Sequence, residues 1–169
     1  MVMNRQTIKH LRSWLVYIVL FLVVMQGANW WKTRDAPGGN LSEFSGVLMD
    51  GTAFTIAEFA GKPVLFHFWA TWCPICDLQK NNVQSISQDY PVITIASWSE
   101  GEAEVKAYML ENQLTFPVML DNSGKLAQTF GLKGVPASFI LDPHGEIKFI
   151  ETGYSTEPGL RFRLWLSSL

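Results

Sequence analysis

From Ser13 to Trp31 the chain runs SWLVYIVLFLVVMQGANWW, 19 residues without a charge and apolar on every side. As a helix at 1.5 Å per residue this run reaches about 28 Å, close to the roughly 30 Å hydrocarbon core of a bilayer. Trp14 stands near one end and Trp30 and Trp31 at the other, where indole rings favour the two water interfaces. A core helix of a soluble domain would show one polar face, and this run has none. The pattern predicts a membrane anchor over 13–31, preceded by a tail over 1–12. A cleaved signal peptide is the competing reading, because the most apolar part, Trp14 to Met25, is only about a dozen residues long and follows basic residues. Cleavage after Ala28 would put Gln26 at a position that requires a small residue, so the anchor is preferred.

Residues 32–40, with Pro37, Gly38 and Gly39, read as a linker, and beyond Leu41 the rhythm changes. FSGVLMDGTAFTI predicts two short strands around the hairpin dipeptide Asp50-Gly51. KPVLFHFWA and VITIAS are unbroken apolar runs, the pattern of strands covered on both faces. Pro74 suits the first turn of a helix that begins beside Cys73 and runs toward Gln88. EGEAEVKAYMLENQ carries Val105, Tyr108 and Met109 at helical spacing. FPVMLD reads as a short extended stretch, SGKLAQTFGL as a short helix ended by Gly131, and ASFILD and HGEIKFIET as a closing pair of strands. EPGLRFRLWLSSL predicts a final amphipathic helix. Strands alternating with helices and then a hairpin imply an α/β fold with a central mixed sheet flanked by helices, over 41–169.

Charge is divided unevenly. Residues 1–34 hold Arg5, Lys9, Arg12, Lys32 and Arg34 and no acid, whereas the remaining eight basic residues face all fifteen acids. An acidic folded part argues against a nucleic-acid partner. The three basic residues before the apolar run outweigh Lys32 and Arg34 after it, which Asp35 partly offsets, so the N-terminus is expected inside and the rest exported.

The only two cysteines, Cys73 and Cys76, are two residues apart in FHFWATWCPIC. A disulfide between them closes so short a loop that it restrains the unfolded chain little. A zinc site needs about four ligands, and only His10, His67 and His144 could supplement the pair, with no recognisable spacing. No metal and no cofactor is expected. The six methionines form no cluster of soft copper ligands. Redox chemistry fits the placement better. At a helix N-terminus, free N–H groups and the helix dipole favour the Cys73 thiolate, and Cys76, one turn in and more deeply buried, can resolve a mixed disulfide.

FHFWATWCPIC, followed some sixty residues later by GVPASFILDPHGEIKF, resembles the thioredoxin-fold proteins of the membrane-tethered TlpA/ResA/DsbE-like group. GYSTEPGLRFRLWL together with the short anchor is similar to the ScsD-type members, named for suppression of copper sensitivity. The resemblance implies a thioredoxin-like domain and a thiol:disulfide oxidoreductase, expected to act as a reductase. Its substrates would be protein disulfides or thiols. It also implies a monomer held in the bacterial inner membrane by a single pass, with the domain in the periplasm and electrons from a DsbD/ScsB-like membrane donor. Any link to copper would run through repair of thiols that copper oxidises. The other reading is a thioredoxin-like module that binds metal or a partner without catalysis.

The resemblance further implies a cis bond between Val135 and Pro136 beside the cysteines, with the Val135 backbone offered to an extended substrate segment and Trp72 at the site's edge. From sequence spacing alone, KGVP is better read as an ordinary turn entering a strand. Trp69 reads as a core aromatic, and a core role for both Trp69 and Trp72 is the alternative. His67 stands where thioredoxins carry a buried aspartate, and Gln79 where cytochrome-maturation members carry a glutamate. His67 is therefore either a base or pKa-tuning partner for the cysteines or a histidine satisfied within its strand. Asp77 reads as a solvated residue of the helix start rather than a catalytic acid.

Overall fold

The computed structural model describes residues 39–169, with Tyr17 and Leu20 in helical backbone within the preceding segment. The chain divides into two compact units, Met1–Arg34 and Asp35–Leu169. Among the described residues no helix is long and apolar enough to cross a membrane. The expected tail over 1–12, the anchor over 13–31 and most of the linker over 32–40 lie outside the described residues.

The folded unit opens with β1 (Ser45–Val47) and β2 (Ala53–Thr55), an antiparallel pair. Its turn forms at Asp50-Gly51: Gly51 takes φ +88°, and the Asp50 carboxylate accepts from the Thr52 amide at 2.8 Å. A 3₁₀ turn (Ile56–Phe59) leads to β3 (Val64–Trp69), then α1 (Pro74–Ile86), β4 (Val92–Ser97) and α2 (Glu102–Glu111). They are followed by β5 (Val118–Asp121), α3 (Lys125–Thr129), β6 (Ala137–Leu141), β7 (Ile147–Thr152) and α4 (Glu157–Ser167).

The five longer strands form one mixed sheet in the order β5-β4-β3-β6-β7. β3, β4 and β5 run parallel, and β6 and β7 return antiparallel. Every residue of β3, β4 and β6 is buried and all but His67, Thr94, Ser97 and Ser138 are apolar, which is why their sequences read as mainly apolar runs rather than as strict alternation. Side chains still alternate between faces. Leu65, Trp69, Val92, Ala96 and Ile140 join a core with Val83 and Ile86 of α1, Val105 of α2, and Leu160 and Leu164 of α4. Phe66, Phe68, Ile93, Ile95, Phe139 and Leu141 join the other core with Phe54, Ala127 and Phe130.

Asn40 pairs with Glu146, the Leu41 amide donates to the Gly145 carbonyl, and the Ile147 amide donates to the Gly39 carbonyl. The chain is thus bonded to the β6–β7 turn from Gly39 onward. α4 departs from a simple amphipathic helix. Leu160 and Leu164 enter the core while Phe162, Trp165 and Leu166 point outward, so it has two apolar faces.

Candidate active site

Cys73 is the N-cap of α1 and Pro74 its first residue, where a missing N–H costs no helical bond. The Cys73 sulfur accepts from the Cys76 amide at 3.2 Å, taking the place that a serine or aspartate oxygen fills at other helix starts. Cys73 and Cys76 form a disulfide with Cα atoms 5.2 Å apart. The positive end of the helix dipole and the Cys76 amide both lie at the Cys73 sulfur, an arrangement that favours a thiolate over a thiol. The expected contrast in burial is small, because Cys73 is 5% exposed and Cys76 3%. Cys73 is covered in part by the Val135 carbonyl, whose oxygen lies 3.6 Å from its sulfur.

Val135-Pro136 is a cis peptide, and the register of β6 against β3 carries it to the disulfide's end of the sheet: Ala137 pairs with Phe68. The cysteines and the cis-proline loop, some sixty residues apart in sequence, are therefore neighbours.

Trp72 is 58% exposed and its indole N–H donates to the Trp98 carbonyl at 2.8 Å. Trp69 is buried against Tyr108 and Phe116, so the two tryptophans divide into rim and core. Sequence reasoning missed the loop after β4 that supports this rim. The Thr71 amide donates to Ser99 Oγ, and Thr71 Oγ1 donates to Glu104 Oε1 at 2.6 Å. The other Glu104 oxygen accepts from the Glu100 amide. Trp98 adopts φ +54°, and its indole covers Gly124 so closely that a Cβ there would overlap it. No sequence signal marks Trp98 or Ser99, since their roles arise from contacts across the loop.

His67 is buried in β3, and its Nδ1 lies 2.9 Å from Ser138 Oγ on β6, a hydrogen bond in either tautomer. Burial pushes its pKa down to about 4, so the imidazole is neutral at physiological pH. Ser138 is another residue that sequence reasoning missed. Strand register sets Thr94, His67, Ser138 and Glu151 side by side across four strands. Above this side of the sheet, Gln79 follows Cys76 by one turn of α1 and is fully buried. Its Oε1 accepts from the Ser155 amide at 3.2 Å, and its Nε2 has no partner among the described residues.

Asp77 accepts from Lys80 and from the Tyr108 hydroxyl. Those two bonds hold its carboxyl below the usual carboxylate range, and burial together with Asp77 raises Tyr108. A carboxylate so occupied and solvated is a helix-start residue rather than a proton donor. Among the described residues no group of three or more His, Cys, Asp or Glu side chains is placed to hold a metal ion.

The Redoxin family model matches residues 36–162. The chain is 28% identical over 167 residues to a thioredoxin-like protein, YneN, of Bacillus subtilis, covering 91% of this chain and 98% of that one. It is 28% identical over 137 residues to the thiol-disulfide oxidoreductase ResA of Geobacillus thermodenitrificans, covering 79% of each. Among solved structures, a thiol:disulfide interchange protein of the thioredoxin family from Chlorobium tepidum superposes with a TM-score of 0.68 at 26% identity. That likeness covers 80% of this chain and 99% of the other, and the fold is thioredoxin-like.

Proposed function

The chain belongs to the Redoxin family, and from that premise we propose that it is a membrane-tethered, periplasm-facing reductase of protein disulfides that works through Cys73 and Cys76. The coarser part of this reading, thiol–disulfide oxidoreductase, rests on relatives that bear that name and on the paired cysteines. The observation that carries it is the Cys73 sulfur at the start of α1, beside the Val135 carbonyl.

In the reduced enzyme the Cys73 thiolate attacks one sulfur of a substrate disulfide. A Cys73–substrate bond forms, the substrate S–S bond breaks, and the departing thiolate takes a proton from water. Cys76 then loses its proton and attacks the Cys73 sulfur, releasing the second substrate thiol and leaving the enzyme disulfide. The substrate gains two electrons and the enzyme loses two. Val135 and Pro136 offer backbone to an extended substrate segment, a short strand pairing that aligns the disulfide, and Trp72 gives that segment an apolar rim. His67, neutral and bonded to Ser138, acts through its hydrogen bond and not through charge.

An exported compartment is oxidising, so the cycle needs a membrane donor of the DsbD/ScsB kind to return two electrons. Within the TlpA/ResA/DsbE-like group, the ScsD-like C-terminal stretch supports a contribution to copper tolerance by repair of oxidised thiols.

Serine variants test the mechanism. Cys73→Ser should abolish disulfide reduction, and Cys76→Ser should trap mixed disulfides visible on non-reducing gels. Retained turnover in both overturns the assignment. Direction is tested by the reduction potential in dithiothreitol or glutathione buffers. A value near thioredoxin's, about −270 mV, supports a reductase, and one near DsbA's, about −120 mV, overturns it.

A further inference from the structure

α4 exposes an apolar stripe that the catalytic reading does not use. Phe162 is 58% exposed, Trp165 51%, Leu166 41% and, just past the helix, Leu169 84%. At 3.6 residues per turn these four fall within an arc of about 100°, opposite the arc of Leu160, Leu164 and Ser167 that enters the core. The Phe162 and Trp165 rings lie 5.9 Å apart, so the stripe is continuous.

The stripe's place in the fold indicates what covers it. β6 runs antiparallel to β3, with Ala137 opposite Phe68 and Leu141 opposite Val64. Val135-Pro136 therefore stands at the disulfide pole of the sheet, and the turn Asp142–Gly145 stands at the other. The last turn of α4 reaches that far pole: Leu166 and Leu169 line a cleft of about 490 Å³ with Pro143, His144 and Phe149. The N-terminal chain arrives at the same pole, where Asn40 donates to the His144 carbonyl at 3.1 Å and Leu41 to the Gly145 carbonyl at 2.7 Å. Residues 32–38 span at most about 25 Å between the apolar run and Gly39.

We propose that the stripe Phe162, Trp165, Leu166 and Leu169 rests on the lipid interface of the membrane that holds the chain. This rests on the anchoring put forward above. Aromatic and leucine side chains on one helical stripe suit the boundary between headgroups and acyl chains. Arg161 and Arg163 border the stripe on either side, but Arg161 is bonded to Glu157 and Asp89, and Arg163 to Glu151. Apolar area rather than charge drives the contact, so high salt should not release it. A second copy fits less well. With large side chains at about 150–250 Å² each, the stripe exposes on the order of 500 Å², below the roughly 800 Å² that each partner gives a stable interface.

The test uses the full chain with Cys73→Ser and Cys76→Ser, reconstituted in phosphatidylcholine–phosphatidylglycerol vesicles and carrying one spin label. The label sits at Trp165→Cys or Phe162→Cys, with Leu110→Cys on α2, 82% exposed, as the reference. Accessibility to oxygen, which concentrates in lipid, is compared with accessibility to a water-soluble nickel chelate, at low and high salt. The expected result is that labels at 162 and 165 gain oxygen collisions and lose nickel collisions several-fold relative to 110, at both salt levels. If the chain floats with the vesicles and all three labels meet nickel equally, anchoring stands and the docking is overturned. Nickel shielding without an oxygen gain, with dipolar broadening that grows with protein density, overturns it in favour of a second copy. A chain that stays in the aqueous phase overturns anchoring and docking together.

Discussion

On one face of the central sheet aromatic rings close on one another. Phe66 lies 5.6 Å from Phe130 and 5.2 Å from Phe44, and Phe130 lies 5.1 Å from both Phe68 and Phe139. The opposite face is made by the same strands, one residue out of step, yet it carries Thr94, His67, Ser138 and Glu151 in a row beneath the helices that include the disulfide's own. Three of those four are almost wholly buried. Burying polar groups stabilises a fold less than burying rings does, and leaves each donor and acceptor dependent on a partner. The aromatic face holds the sheet together, and the polar face gives part of that stability to a hydrogen-bonded floor on the disulfide's side of the sheet.

Substitutions on the two faces should therefore fail differently. The largest effect is expected from Phe66→Ala, which empties a fully buried ring site and should cost about 3–5 kcal/mol in urea unfolding. Disulfide exchange per folded molecule should be unchanged. A loss below about 1 kcal/mol would mean that this face is not close-packed.

On the polar face, His67 makes stability depend on pH. The unfolded imidazole protonates near pH 6.5 and the folded one only near pH 4, so between those values the unfolded chain binds more protons. The His67 contribution is then fully present above about pH 6.5 and is lost as pH falls toward 4, by about 3 kcal/mol in all. His67→Asn should flatten that part of the profile, measured as unfolding midpoints against pH. Identical profiles for variant and parent would show that His67 is not held neutral.

A smaller effect is expected from Ser138→Ala, which leaves the buried imidazole without its partner and should cost about 1–2 kcal/mol. Unchanged unfolding would remove the hydrogen-bonded floor from the account. Smallest is Arg163→Ala at the sheet's edge. Its ion pair with Glu151 is partly exposed, so thermal unfolding should register under about 1 kcal/mol, and less as salt is added. A larger, salt-independent loss would make Glu151 part of the buried floor.

Much of this architecture is legible in the amino-acid order. The mainly apolar runs at 64–69 and 92–97, Asp50-Gly51 at a hairpin and Pro74 after Cys73 each name a local conformation, and each stands where expected. The pairing of two cysteines at the head of a helix is legible too, because the helix start and the spacing are local properties. The supports of the site are not. Ser138 meets His67 only through strand register, and Trp98 holds Trp72 only through a loop drawn in by Thr71, Ser99 and Glu104. A terminal segment with leucine at helical spacing reads as simply amphipathic, although its outward face is apolar as well.

Order along the chain determined where strands and helices form and that the two cysteines stand at a helix start, since these follow from side-chain periodicity and backbone preference over a few residues. Tertiary structure alone decided which face of the sheet His67 enters and what bonds it there, and it is what brings Val135-Pro136 against Cys73, a neighbourhood the residues indicated only through a family resemblance. Those outcomes depend on register between strands distant in sequence, and register is set by the packing of the whole core.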